Sequence, residues 1–137
     1  MSCCGDVMEK IEPESCCTPE DTAHDAAKAM KTSGFGCSPV VENKQDLKLV
    51  GVITAQDISH HVAAEDIKAS AVTVKDIMQP LSACCKTGET LEQAGQKMHD
   101  YQASSLPVMD KDGNCCGTVS SKHLRVETEE VAAAVDQ

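Results

Sequence analysis

The chain has 137 residues, 41% of them hydrophobic, with 22 acidic side chains against 12 basic ones and a net charge of -10. That length allows one compact domain or two very small ones packed together. The negative charge repels a phosphate backbone, and one Phe, one Tyr and no Trp leave no aromatic platform for bases, so nucleic acid is not an expected partner.

The N-terminus reads Met1-Ser2-Cys3-Cys4-Gly5-Asp6, without the apolar core of a signal peptide. No apolar run approaches the roughly 20 residues of a membrane span. The expectation is a soluble cytoplasmic protein with reduced thiols and no membrane partner.

The first copy of the recurring pattern opens with a short strand ending at Thr18. A helix is expected next, with Thr18 as its N-cap, Pro19 at the first helical position and Asp21 three residues after the cap. Ala23, Ala26, Ala27 and Met30 follow at helical spacing and predict one buried stripe. A strand through Pro39-Val40-Val41, a polar turn at 42–46 and a second strand over 47–53 come next. A second helix is expected from Thr54 to about residue 64. Residues 65–73 read as a linker.

The plan then repeats. Asp6-Val7-Met8 returns as Asp76-Ile77-Met78 and Cys16-Cys17 as Cys84-Cys85. Thr22, Ala26, Met30 and Pro39-Val40 return 68 residues later as Thr90, Ala94, Met98 and Pro107-Val108. Gly51, Ile53 and Thr54 return at an offset of 66 as Gly117, Val119 and Ser120. The second buried stripe is Leu91, Ala94, Met98 and Tyr101. The second turn, Asp110-Lys111-Asp112-Gly113-Asn114, is a hairpin signal. The expected organisation is a first motif with its lead-in over 1–64, a linker over 65–73, a second motif over 74–125 and an acidic, Ala-rich tail over 126–137. The order β-α-β-β-α, twice, predicts an α+β fold in which two half-sized units share one core.

Nine cysteines lie at positions 3, 4, 16, 17, 37, 84, 85, 115 and 116, and none has Cys-x2-Cys spacing. Cys16, Cys17, Cys84, Cys85, Cys115 and Cys116 fall on predicted strands, where packing is their default role. Cys3-Cys4 is outside the repeat and is the candidate for surface thiol chemistry. His60-His61 invites a metal reading, but neighbours on a helix point about 100° apart, and no metal site is expected. Nothing has the spacing of a catalytic nucleophile, a GxGxxG turn or a P-loop, so no enzyme is expected.

The ordered set of motifs resembles the cystathionine-β-synthase (CBS) family. Its residues here are Thr18-Pro19, Thr22, Ala26-Ala27, Met30, Ser38-Pro39-Val40-Val41 and Gly51-Val52-Ile53-Thr54-Ala55-Gln56-Asp57-Ile58. The second copy supplies Thr90, Ala94, Met98, Leu106-Pro107-Val108-Met109 and Gly117-Thr118-Val119-Ser120. Two tandem CBS motifs imply one pseudo-two-fold Bateman module. The resemblance implies a stand-alone regulatory module that requires no cofactor. It implies an adenosine-containing ligand (AMP, ADP, ATP or S-adenosylmethionine) between the motifs, homodimerisation through CBS–CBS packing, and an effector protein downstream.

Thr54 and Asp57 read on their own as a capping box. The resemblance adds a second role, in which the Asp57 carboxylate accepts from the two vicinal ribose hydroxyls. Carried over residue by residue, it sets Val52, Thr54 and Asp57 against Lys86, Thr87, Ala103, Ser104 and Pro107 in a first site. Thr87 would supply a hydroxyl, Lys86 a phosphate contact and Val52 an apolar contact to adenine. A second site would hold Thr18, Gly36, Ser120, Lys122 and His123. There His123 stands where the first copy has Asp57, and imidazole cannot make the paired contact to a diol. One competent site per chain is therefore expected. The cations expected near the cleft are Lys86, Lys122, Arg125 and His60-His61, which are few for a polyphosphate and favour AMP. Two other readings remain: a dimerisation or interaction module without ligand, and a cysteine-based metal or redox protein.

Overall fold

The computed structural model describes residues 2–124. Arg125 and the tail over 126–137 lie outside them.

The N-terminal segment forms a single helical turn, α1 (Cys4–Val7), and a two-residue strand, β1 (Glu9–Lys10). The first helix proper is α2 (Ala23–Ser33), which starts four residues later than the Thr18-Pro19 pair predicts. Thr22 caps it: the Thr22 hydroxyl accepts from Asp25 N–H at 3.1 Å, and Asp25 answers by accepting from Thr22 N–H at 3.0 Å. Thr18 instead opens a turn, its N–H donating to the Asp21 carboxylate at 2.9 Å. The reason is tertiary. The carbonyls of Pro19 and Asp21 accept from Lys75 and Val74 N–H, so residues 18–21 serve as a docking edge rather than a helical turn. The buried stripe is Ala23, Ala26, Ala29 and Met30, and Ala27 faces solvent. The helix ends at Gly34, whose φ of 81° is the left-handed conformation that stops a helix.

β2 (Cys37–Val41) and β3 (Leu49–Thr54) form an antiparallel hairpin. Thr54 caps α3 (Ala55–Ile58), which continues as a wider helical turn to Ala63. The second repeat follows the same order. It comprises α4 (Val74–Ile77), β4 (Gln79–Pro80), β5 (Cys85–Lys86), α5 (Leu91–Asp100), β6 (Ser105–Met109) and β7 (Cys115–Ser120). Residues 121–124 are helical. The expected α+β architecture of two repeats is present.

The repeats are joined by exchange. β1 pairs antiparallel with β7, so the start of the chain completes the sheet of the second repeat, in the order β1-β7-β6-β5. β4, the lead-in to the second repeat, pairs with β3 of the first, in the order β2-β3-β4. Glycine is required where these strands cross. A Cβ at Gly117 would sit 2.7 Å from the Glu9 carbonyl and 2.7 Å from the Met8 sulfur, and one at Gly51 would collide with the Gln79 carbonyl.

The two docking edges also match. Cys4 and Gly5 N–H donate to the carbonyls of Glu89 and Thr87, as Val74 and Lys75 do to Asp21 and Pro19. One core cluster draws on both repeats, with Cys37, Val41, Leu49 and Val52 packed with Leu91, Ala94, Met98, Leu106 and Val119. The shared core is aliphatic and thiol-rich.

Candidate functional site

Each β3-like strand ends in a helix start, and each lead-in strand lies beside that end. Two equivalent polar corners result. In the first, the Thr54 hydroxyl accepts from Asp57 N–H at 3.1 Å, and Asp57 Oδ2 accepts from Thr54 N–H at 2.8 Å. This is the capping box, and it fixes the carboxylate. Gln79, brought in by β4, then donates to Asp57 Oδ1 at 2.6 Å. Asp57 is 5% exposed and is one of the residues lining a hollow of about 230 Å³. Gln56, His60, His61, Gln79, Asp100, Tyr101 and Gln102 also line it, so the hollow lies between α3 and the end of α5.

In the second corner the carboxylate stands on the other partner. His123 Nδ1 accepts from Ser120 N–H at 3.0 Å, which puts the imidazole in the capping role that Asp57 fills in the first repeat. An Nδ1 that accepts carries no proton, so the ring proton is on Nε2. That nitrogen faces Glu9 Oε1 at 3.5 Å, and Lys122 Nζ lies 3.7 Å from the same oxygen. Glu9 follows Met8 as Gln79 follows Met78. The pair Gln79–Asp57 in one corner thus becomes Glu9–His123 in the other.

Of the first-site residues, Thr54 and Asp57 meet directly. Val52 sits two residues back on β3, fully buried and in register with Gln79. Ala103 and Ser104 form the loop before β6, next to Gln102 of the Asp57 hollow, and Pro107 is buried within β6. Lys86 and Thr87 are not brought to Asp57. Lys86 pairs with Met109, at the far end of β6, and both residues line a different hollow with Glu89, Asp110 and Lys111. Ser104 opens instead onto a hollow of about 180 Å³ with Gly36, Ser120 and Lys122 of the second site. Gly36 and Ser104 are equivalent positions, and a Cβ on Gly36 would strike the Ser104 hydroxyl, so the repeats touch here. Thr18 is away from that hollow, one residue beyond the Cys17–Val40 bridge. Gln79 and Glu9 were missed from sequence; their only signal was position, directly after the repeated Asp-Val-Met and Asp-Ile-Met.

The cysteines divide by environment. Burial pushes the thiols of Cys17, Cys37 and Cys84 up to about 12, which suits packing. Cys3-Cys4 is not a surface pair: Cys3 is half-buried and Cys4 fully buried. Among the described residues, no group of three or more His, Cys, Asp or Glu side chains is placed to hold a metal ion. Among them, too, no helix is long and apolar enough to cross a membrane.

Comparison with known proteins decides the family. The CBS domain matches residues 4–64 and 74–129, most of the chain. This chain belongs to the CBS domain family. It is 33% identical over 110 residues to inosine-5'-monophosphate dehydrogenase of Schizosaccharomyces pombe, covering 78% of this chain and 20% of that enzyme. It is 32% identical over 108 residues to homoserine O-acetyltransferase of Methanococcus vannielii, covering 76% and 20%. The chain thus spans about a fifth of the length of these curated relatives. Among solved CBS pairs, it superposes on that of protein MJ0100 in complex with 5-methylthioadenosine and S-adenosyl-L-methionine. The TM-score is 0.71 at 25% identity, over 93% of this chain and 99% of that one. CBSX2 in complex with AMP superposes with a TM-score of 0.69 at 20% identity, over 96% and 99%, a likeness of fold.

Proposed function

We propose that this CBS pair is a regulatory, non-catalytic module that binds one adenosine-bearing nucleotide per chain beside Asp57. The observation that carries this reading is the Asp57 carboxylate, preset at a helix start by Thr54 and Gln79 in the wall of a hollow between the repeats. Each of its oxygens accepts one hydrogen bond and keeps a lone pair for one hydroxyl of a ribose diol. The CBS pairs that superpose on this one were solved with AMP or with S-adenosyl-L-methionine and 5-methylthioadenosine, which supports an adenosine ligand.

Among the described residues, the wall of this hollow carries Asp57 and Asp100, with His60 and His61 as its basic side chains. With Lys86 elsewhere, a polyphosphate meets more repulsion than AMP does, so AMP stands ahead of ADP and ATP. S-Adenosylmethionine, which carries a cationic sulfonium, is the competing ligand. The motifs at 1–64 and 74–125 form the binding unit, a second copy packs against it, and an effector protein reads its state.

The test is a thermal-shift panel of AMP, ADP, ATP and S-adenosylmethionine. A ligand at 100 times its dissociation constant adds about 2.7 kcal/mol. AMP is expected to give the largest shift, and Asp57→Ala to remove it.

A second reading, an interaction module without ligand, is favoured by one observation. The hollow of about 230 Å³ is smaller than the roughly 300 Å³ at which small-molecule sites usually begin. No response to any nucleotide in the panel would establish it instead.

A further inference from the structure

We propose that a hollow at the shared end of β5 and β6 binds a small sugar phosphate, with Lys86 and Lys111 contacting its phosphate. The hollow is separate from that of Asp57, and the proposal stands apart from the adenosine reading.

Topology makes the hollow. β5 and β6 run parallel, with Lys86 beside Met109, so the chain leaves both strands at the same end. Thr87 N–H donates to the Met109 carbonyl at 3.1 Å and ties the two exits together. Each exit turns at once: Glu89 N–H donates to the Lys86 carbonyl at 3.0 Å, and Gly113 N–H to the Asp110 carbonyl at 3.1 Å. Residues of both turns line a hollow of about 460 Å³, against about 230 Å³ beside Asp57. The larger volume falls within the roughly 300–1,000 Å³ of small-molecule sites.

The acids at this hollow are already engaged. Lys97 Nζ lies 3.0 Å from Glu89 Oε1, which also accepts from Lys86 N–H at 3.2 Å. Asp110 ties its own turn through Oδ1, which accepts from Asp112 N–H at 2.9 Å and Asn114 N–H at 3.0 Å. Among the described residues, neither Lys86 nor Lys111 has an ion pair. In a chain of net charge -10, two unpaired ammonium groups at one hollow favour an anion there.

The first repeat shows that the turns do not require these residues. Thr18, Glu20 and Asn43 stand 68 residues before Lys86, Gly88 and Lys111. The turn at Thr18 still closes, with Asp21 N–H donating to the Thr18 carbonyl at 3.1 Å. Gly88 is not left-handed, and a Cβ on it would meet nothing within 4 Å, so no backbone need explains the glycine. The second repeat thus places two cations and a bare backbone where the fold accepts neutral and acidic side chains.

Two ammonium groups suit a dianionic phosphate, which lysine contacts as a point charge. Asp110 Oδ2 and the Thr87 hydroxyl can pair with hydroxyls on the body of the ligand, and Met109 offers it apolar contact. A dicarboxylate would bring a second negative group toward Asp110, so a phosphate on a hydroxylated body fits better.

The experiment follows amide NMR shifts of the full chain, at low salt, during titration with glucose 6-phosphate and with glycerol 3-phosphate. Inorganic phosphate and malate are the comparisons. At least one sugar phosphate is expected to move the amides of residues 86–89 and 110–113 to saturation, binding at least about tenfold more tightly than either comparison. The Lys86→Gln, Lys111→Gln double variant should weaken it at least about tenfold, and Gly88→Glu should do the same. Lys68→Gln, at an exposed lysine outside the hollow, should not. No saturable shift at these amides with either sugar phosphate overturns the proposal. So does equal binding of inorganic phosphate or malate, or an unchanged affinity in the double variant. Lys86 and Lys111 are exposed, so their replacement leaves the core intact.

Discussion

Asp57 and His123 solve the same local problem with different chemistry. Both sit three residues after a strand-ending Thr or Ser and accept from that residue's N–H, at 2.8 Å and 3.0 Å. The helix start needs only an acceptor at that point, which a carboxylate or an imidazole nitrogen supplies. A ribose diol needs a second acceptor, and only the carboxylate has one. The partner residue follows the same division: Gln79 donates to Asp57, while the Glu9 carboxylate faces His123 Nε2 and Lys122 Nζ. Exchanging both residues should therefore convert the second corner into a copy of the first. Calorimetry with AMP is expected to give one equivalent for the natural chain and two for the Glu9→Gln, His123→Asp double variant. His123→Asp alone would set its carboxylate against Glu9 and is expected to bind weakly there. Asp57→Ala removes a cap as well as the proposed ligand contact, so unfolding in urea should show a loss of about 1 kcal/mol without nucleotide.

At the scale of elements, α2 and α5 begin with the same capping box but respond differently to acid. Thr22 pairs with Asp25, and Thr90 with Gln93. The Thr22 N–H, and then its hydroxyl, hold the Asp25 carboxyl below the ordinary aspartate range. A depressed carboxyl stabilises the fold above its unfolded value, and that contribution is lost as pH falls through the folded value. Gln93 does not titrate. Lowering pH from about 5 to about 2 should therefore weaken amide-exchange protection at Asp25 relative to Gln93. If the ratio does not move, the box does not depend on the charge of Asp25. The exchanged strands make a second prediction. Gly117→Ala places a methyl against Glu9 and Met8, so β1 must shift. The expected cost is about 1–3 kcal/mol by urea unfolding, with β1 amides losing protection first. Thr18 and Ala27 show where local pattern loses to packing. Thr18-Pro19 is a sound helix start by itself, but the carbonyls of residues 19 and 21 are taken by the α4 segment, and the helix waits for Thr22.

Over the whole molecule, the repeats depend on each other through the exchanged lead-in strands and one shared core. Residues 1–64 alone would leave β3 without β4, and Cys37, Val41, Leu49 and Val52 without partners from the second repeat. They are expected to show little ordered structure by circular dichroism and to gain it on mixing with residues 65–137. The repeat, the α+β order, the two hairpins and Asp57 at a helix start could all be read from the chain, because each is written in residues close in sequence: the periodic alanines, the Asp-Gly turn, the Thr-x-x-Asp spacing. Placement across the pseudo-two-fold could not be read that way. Lys86 and Thr87 lie toward the Met109 end of β6 and line a hollow other than that of Asp57. Gln79 and Glu9 enter the corners only because lead-in strands cross to the other repeat's sheet. Sequence alone determined most of the elements and the capping acid Asp57 at the start of α3, since these follow from backbone propensity and short-range hydrogen bonding. Tertiary structure decided which side chains share a hollow, because that depends on strand exchange between residues far apart in the chain.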